Sequence, residues 1–479
     1  MKEDSQHMDF FFDPEGIAVI GASADPMKVG YYILKNTLGG YRGRVYPVNP
    51  RYENLQGVPC YPDIDSIPVN FELAIYFIPA RFLPDTIRAC AKKGVKGIII
   101  ESAGFAEVGD AGKELQEESV RLAEEHGIRL WGPNCMGLLD GYKRHVFSFL
   151  MSDQVFDLLK PGNASFIVQS GMLSAGFLLM MLERGGLGLS KMCSIGNKCD
   201  VHETELLQYL IDDNSTEVIG MYVESIKDPA GFMECARSTS KPIVMLKGGQ
   251  SPIGARAAAS HTASMAGDYT IMRHVFEQCG ITEVFDINEL MDMVRGFSKT
   301  RLLEHDAGTA IVTFSGGGGI ITSDMLHARG LKVANLTPES LMALEEVFPE
   351  WMAPSHPVDI WPAIEKNGYQ KVYARTIDIL MNDPGVDSLI IHLFASRMDA
   401  SYLWNLVTMK ERCGKPVVAW CVGNGEKLGA FKAELEGMGI PVFEEMVRGV
   451  DFLAAFKRHV RKKGDLDAGE TRCSRSIQG

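Results

Sequence analysis

Among the eleven histidines of this chain, His261 stands apart, in the run Gly254-Ala-Arg-Ala-Ala-Ala-Ser-His-Thr-Ala-Ser-Met-Ala-Gly. Nearly all its neighbours are small, which leaves the backbone free to move and to approach a ligand closely, as a segment that carries a group between two sites requires. A neutral imidazole, with a reference pKa of ~6.5, attacks an acyl phosphate or a nucleoside triphosphate near neutral pH. The phosphoramidate that results keeps a high transfer potential. A carboxylate on the opposite ring nitrogen would fix the tautomer and steady the positive charge that develops during attack.

A phosphorylated histidine needs somewhere to put its dianion. Gln169-Ser-Gly-Met-Leu-Ser and Phe314-Ser-Gly-Gly-Gly-Gly each fall where a strand is expected to turn into a helix. Such turns aim free N–H groups and the positive end of the helix dipole at one point. Ser170, Gly171, Gly316, Gly317 and Gly318 are the candidates. A third turn of this kind, Gly21-Ala-Ser-Ala, follows the first apolar run and precedes Val29-Gly-Tyr-Tyr-Ile-Leu, so its amides could receive a pyrophosphate or a pantetheine chain. Neither G-x-G-x-x-G nor G-x-x-x-x-G-K-[ST] occurs, so the turn is not of the dinucleotide or P-loop type.

The elements that must position these residues are short β-branched apolar runs, most ending in Gly, Pro or Asn, with helical stretches between them. That is the pattern of parallel strands in βα units. Gly16 to Gly21, Arg44 to Asn49, Glu72 to Pro79, Gly97 to Ser102 and Ile128 to Asn134 form the first group, a Rossmann-like domain over 10–148. Asn49-Pro-Arg, Ile78-Pro-Ala, Glu101-Ser-Ala-Gly-Phe and Gly132-Pro-Asn-Cys end four of its strands on one rim. Ligands in open α/β sheets bind there. A second series gives a domain over 152–303 and a third one over 308–462, with a flexible tail at 463–479. The predicted class is α/β, three consecutive doubly wound domains.

A length of 479 residues is too much for one core, and 46% hydrophobic with 23% charged residues is a soluble globular composition. No apolar run reaches the ~18 residues of a bilayer span, and Met1 to Met8 lacks the form of a secretion signal, so a cytoplasmic protein is expected. The net charge of -13 argues against a nucleic-acid partner. Ten scattered cysteines without C-x-x-C fit reduced thiols, and the spacing of Cys193, Cys199 and His202 is a poor basis for a metal site.

Gly16-Ile-Ala-Val-Ile-Gly-Ala-Ser, Gly43-Arg-Val-Tyr-Pro-Val-Asn-Pro, Gly132-Pro-Asn-Cys-Met-Gly and Ser260-His-Thr together resemble the ADP-forming acyl-CoA synthetases of the succinyl-CoA synthetase superfamily. The resemblance spans about residues 10 to 460, in the family's order of a CoA domain followed by two flavodoxin-like domains. It implies that Gly21, Ala22, Ser23 and Ala24 hold the CoA phosphate or pantetheine region and that Arg51 faces CoA, with Ile78 and Pro79 on the same rim. Glu101, Ser102 and Ala103 would line the pocket, with Asn134 and Cys135 nearer the thiol. It makes His261 the phosphate carrier, Glu224 the carboxylate behind it, and the two glycine-rich helix ends a paired phosphate cradle. Met172, Ser174 and Ala263 depart from residues frequent in relatives, which bears on acyl specificity more than on phosphotransfer.

The family also uses an ATP-grasp module for the nucleotide and Mg²⁺, and no segment here supplies one. The resemblance therefore implies an α subunit that pairs with an ATP-grasp β subunit, by analogy as α₂β₂, and catalyses acyl-CoA + Pi + ADP = carboxylic acid + CoA + ATP. A CoA-sensing scaffold of the same fold would show damage at the histidine or the phosphate turns, and there is none. A lysine acyltransferase would need a further domain, and a dehydrogenase an acidic residue set to hold a ribose. The acyl group, the ADP or GDP preference and the physiological direction are not encoded legibly.

Overall fold

The computed structural model describes residues 8–262, 268–300 and 307–476, with the side chains of 182–184, 259–262 and 463–476 outside the description. The chain divides into two compact units, Met1–Leu290 and Met291–Gly479.

The first unit holds two sheets. β1 (Gly16–Ile20), β2 (Arg44–Val48), β5 (Leu73–Tyr76), β6 (Gly97–Ile100) and β7 (Arg129–Trp131) run parallel in the order β2-β1-β5-β6-β7; β3 (Asn54–Leu55) and β4 (Val58–Pro59) form a separate hairpin. β1, β5 and β6 are buried along their whole length. Helices cover both faces of such a sheet, so its strands read as unbroken apolar runs rather than alternating ones.

The second sheet joins β8 (Leu138–Asp140), β9 (His145–Phe147), β10 (Pro161–Val168), β11 (Leu189–Ser194), β12 (Val218–Val223), β13 (Ile243–Lys247) and β14 (Thr282–Val284) in the order β14-β13-β12-β10-β11-β8-β9. β8 and β9 are the surprise. The sequence assigns them to the first domain, yet β8 pairs antiparallel with β11, Leu138 opposite Cys193. Three-residue strands carry too little periodicity to be read from sequence, and β8 with β9 adds an antiparallel margin to a parallel sheet.

The two sheets of this unit share one core, in which Trp131, Phe11, Phe12, Ile167, Cys193 and Leu206 are buried together. The Trp131 indole N–H donates to the Ser194 carbonyl at 2.7 Å, and Phe12 stacks on Tyr209 with centroids 4.5 Å apart. Arg129 pairs with Asp200 and Glu205 beside them, both at 2.8 Å.

The second unit is built on β15 (Gly308–Thr313), β16 (Val358–Asp359), β17 (Val386–Phe394), β18 (Val417–Val422) and β19 (Val442–Phe443), parallel in the order β16-β15-β17-β18-β19. Its last helix, Met446–Ser476, extends beyond residue 463, so the segment read from its charged composition as a loose tail is helical to Ser476.

The five parallel strands of each of these three sheets repeat one order, second-first-third-fourth-fifth. The direction of winding reverses between the first and third strands, and a crevice opens at their carboxyl ends.

Candidate functional site

Each glycine-rich turn singled out in the sequence follows the first parallel strand of its sheet, β1, β10 or β15, and so lies at a winding reversal. In the first sheet the turn is Gly21–Ala24, beside the β5 end at Phe77 to Pro79. Gly21 has φ +92, and a Cβ on it would lie 2.3 Å from the Phe77 carbonyl oxygen. From the other side Gly30, in the first turn of the Val29–Gly40 helix, approaches so closely that a Cβ would lie 2.0 Å from the Gly21 oxygen. Two glycines therefore clamp this loop between a helix start and a strand end. Asn49 adds a third hold, its Nδ2 donating to the Ala22 carbonyl at 2.8 Å while its Oδ1 accepts the Arg51 N–H at 3.0 Å. Ala22 and Ser23 are buried, whereas Ala24, Arg51 and Pro79 are exposed or partly so, as is Ile78.

Glu101, Ser102 and Ala103 end β6 on the same rim. The Glu101 carboxyl and the Ser102 hydroxyl are buried, and neither makes a side-chain hydrogen bond among the described residues. Burial pushes the Glu101 carboxyl well above the usual range, with the nearby Phe149 N–H pulling the other way. The Asn134 N–H donates to the Ser102 carbonyl at 3.1 Å, and Asn134 adopts φ +57. Cys135 donates its thiol to the Ile100 carbonyl at 3.3 Å; burial, with the Glu101 charge beside it, raises that thiol well above its ordinary value. Cys135 is thus a packed thiol and not a nucleophile.

The same Asn134 to Met136 turn meets the second candidate helix. A Cβ on Gly171, the first residue of the Gly171–Arg184 helix, would lie 3.4 Å from Met136 Cγ and 3.6 Å from the Asn134 oxygen. Ser170 caps this helix, its Oγ accepting the Leu173 N–H at 3.4 Å, and the Ser174 hydroxyl donates to the Ser170 carbonyl at 2.6 Å. Met172 points outward. The turn that ends β7 in the first sheet and the helix N-terminus that follows β10 in the second are therefore neighbours.

Glu224 stands across the winding reversal, at the end of β12. The Gln169 side-chain carbonyl accepts the Glu224 N–H at 2.7 Å, so the residue before the Ser170 cap also fixes the Glu224 backbone. The Tyr222 hydroxyl donates to Glu224 Oε1 at 3.2 Å. A cavity of about 740 Å³ opens beside this turn, lined among others by Leu173, Tyr222, Lys247, Gly248 and Phe285. The Pro252–Thr262 helix begins on its rim and passes close to the short Ala106–Val108 turn of the first domain. The His261 backbone belongs to the last turn of that helix; its side chain, and Ala263, lie outside the described residues.

In the second unit Ser315 caps the Gly316–Ala328 helix, its Oγ accepting the Gly318 N–H at 3.4 Å; Gly316 and Gly317 are exposed. Beneath them His392 is fully buried, with Nδ1 3.0 Å from Thr313 Oγ1 and Nε2 3.2 Å from Thr322 Oγ1. The Thr313 hydroxyl also donates to the Ser315 carbonyl at 2.9 Å and the Thr322 hydroxyl to the Gly318 carbonyl at 2.8 Å. Burial lowers the His392 pKa to about 4 and keeps the ring neutral.

Gln169, Tyr222, Lys198, Lys247 and His392 do not stand out in the sequence. Only the lysine that closes the apolar run Ile243-Val-Met-Leu-Lys carries a local signal, a charge where a buried strand should end. Among the described residues no group of three His, Cys, Asp or Glu could hold a metal ion, and no helix is long and apolar enough to cross a membrane.

Comparison with known proteins agrees with this layout. Residues 15–140 match the description CoA binding domain, 161–297 the succinyl-CoA ligase like flavodoxin domain and 309–446 the ligase-CoA domain. The acetate–CoA ligase (ADP-forming) II subunit alpha of Pyrococcus furiosus is 38% identical over 96% of this chain and 99% of its own. The acetate–CoA ligase (ADP-forming) II of Archaeoglobus fulgidus is 36% identical over 94% of this chain and 67% of its own. Among solved structures, the acetyl-coenzyme A synthetase 1 of Ca. Korarchaeum cryptofilum, in complex with phosphate and ADP, superposes with a TM-score of 0.86 at 30% identity, over 96% of this chain and 98% of that one. The sequence motifs, the repeated fold and these likenesses agree, and the chain belongs to the family of ADP-forming acetate–CoA ligases, corresponding in extent to an alpha subunit.

Proposed function

We propose that this chain is the CoA-binding, phosphohistidine-carrying subunit of an ADP-forming acid–thiol ligase that interconverts acyl-CoA, phosphate and ADP with the free acid, CoA and ATP. The observation that carries the reading is the junction of the two rims, where the Asn134 to Met136 turn abuts the helix that starts at Gly171. A thioester delivered along the first rim would meet phosphate held at the Ser170–Gly171 helix end, with Glu224 across the same crevice.

Gly21 to Ala24 would hold the CoA phosphates or pantetheine through backbone amides, with Arg51 as an exposed, always-charged partner for a phosphate. The Ser102 hydroxyl, buried without a hydrogen bond among the described residues, is a group that a ligand amide could satisfy. Phosphate oxygen attacks the thioester carbonyl, the C–S bond breaks, and CoA leaves as the thiol. An imidazole nitrogen of His261 then attacks phosphorus, and the carboxylate of the acid is the leaving group. Glu224 holds the other ring nitrogen and balances the imidazolium charge. ADP finally takes the phosphoryl group from His261. The nucleotide and Mg²⁺ belong on a partner ATP-grasp subunit, in an α₂β₂ assembly of the cytoplasm, and Gly316 to Gly318 offer a second phosphate-binding helix end.

The test mixes the chain with an ATP-grasp subunit, Mg²⁺ and radiolabelled ATP. An acid-labile, alkali-stable label that His261→Ala abolishes, and that an acid plus CoA discharges, is the expected result. Label that survives His261→Ala would overturn the assignment of the carrier.

A further inference from the structure

Two lysines lie buried beneath the Glu224 turn, and the reaction just described uses neither. Lys247 ends β13 and is only 3% exposed. Its ammonium donates to the backbone carbonyl of Glu224 at 2.6 Å and to that of Gly248. Lys198, on the turn after β11, donates to the Ser225 carbonyl at 2.6 Å and to the Glu203 carboxylate at 2.8 Å. With Gln169 on the Glu224 N–H, the peptide groups on both sides of Glu224 are held by buried side chains from three neighbouring strand ends.

Gly248 is also the root of the segment that leads through Gly249 and Ser251 into the helix bearing His261. It fits tightly, since a Cβ there would lie 2.9 Å from the Tyr222 hydroxyl and 3.1 Å from Glu224 Cγ. One ammonium thus joins the turn that carries the carboxylate to the segment that carries the histidine. Burying an ammonium against carbonyls alone is costly, and a methionine of similar length would pack there without the desolvation. Lys198 has Glu203 to offset its charge, whereas the carboxylate whose field reaches Lys247 is that of Glu224.

We propose that Lys247 is a positioning residue for phosphotransfer, locking the Glu224 turn and the root of the His261 segment into one register. The assignment rests on the roles of His261 and Glu224 given above. Burial lowers the Lys247 ammonium to about 8; the Glu224 charge opposes that shift and the Lys198 charge adds to it. The charged groups that act on it are Glu224, whose Oε1 accepts the Tyr222 hydroxyl, and Lys198, itself paired with Glu203. Loss of the Lys247 proton weakens both hydrogen bonds and removes the charge that offsets the Glu224 carboxylate, so the clamp holds below about pH 8 and loosens above it.

The experiment measures single-turnover labelling of His261 from radiolabelled ATP, pH 6 to 10, in the full chain with the ATP-grasp subunit that supports wild-type labelling. The wild-type rate is expected to fall above about pH 8. Lys247→Met lowers the rate at pH 7 by ~10-fold or more and lacks the alkaline fall, while CoA affinity by calorimetry stays within ~2-fold. Lys247→Gln, which keeps a donor without the charge, falls between the two. Should Lys247→Met unfold, Lys247→Gln and the wild-type profile decide. Labelling by either folded variant at the wild-type rate with the same profile overturns the proposal, and so does a wild-type rate that is flat to pH 10. No label on wild-type His261 removes the parent reading instead, and this one with it.

Discussion

Substituting Gly21 by alanine tests whether the clamped loop at the end of β1 is a binding element. Two penalties combine there. The backbone has φ +92, which costs an L-residue about 1–2 kcal/mol. The new Cβ would also lie 2.3 Å from the Phe77 oxygen and 2.8 Å from Ile78 Cγ2, and separating backbone from backbone adds about 1–3 kcal/mol. Two other glycines separate these terms. Gly57, at φ +88, has no described atom within 4 Å of the place a Cβ would take, so Gly57→Ala carries only the backbone cost. Gly30 lies within a helix, so Gly30→Ala carries only the overlap, 2.0 Å from the Gly21 oxygen. In urea unfolding, Gly21→Ala should lose about 2–5 kcal/mol and Gly57→Ala about 1–2 kcal/mol. In calorimetry with CoA, Gly21→Ala and Gly30→Ala should weaken binding by ~10-fold or more, about 1.4 kcal/mol, because both displace the loop. Gly57→Ala should bind as the wild type does. Equal stability losses for Gly21→Ala and Gly57→Ala, or wild-type CoA affinity in Gly30→Ala, would refute the argument.

Three further outcomes are expected. Ser170→Ala removes the cap of the Gly171–Arg184 helix and should cost about 1 kcal/mol in chemical denaturation, with a raised KM for inorganic phosphate in the thioester-cleaving direction. Lys198→Met leaves the Glu203 carboxylate, which is 0% exposed, without its ammonium; a loss of about 3–5 kcal/mol is expected, and Lys198→Met with Glu203→Leu should recover much of it. His392 and His356 are both lowered by burial from 6.5 to about 4, so between those values the unfolded chain binds more protons. Stability should therefore fall as pH drops from about 6.5 to 4, by up to about 3 kcal/mol for His392; acid titration of unfolding should show that slope diminished in His392→Gln.

The three-domain α/β plan was legible because parallel strands covered on both faces leave unbroken apolar runs, and because each turn that must bend sharply into a helix announces itself with glycine. Gly21, Gly171 and Gly316 were found that way, and the small residues around His261 by their uniformity. The hairpin of β8 and β9 was not, since strands of three residues have no period to detect. Nor were Gln169, Tyr222 and Lys247, whose importance comes from partners 55, 2 and 23 residues away along the chain.

The sequence alone therefore determined where the chain bends sharply and which residues are candidates to meet a phosphate, since those are properties of residue type and immediate neighbours. Strand order decided the rest. Because the winding reverses between the first and third parallel strands of each sheet, their ends open a crevice, and Gly21, Ser170 and Ser315 each fall at one. Only the shared core of the first two sheets brings Asn134 against Gly171. That contact depends on packing between residues far apart in the chain, which no local pattern records.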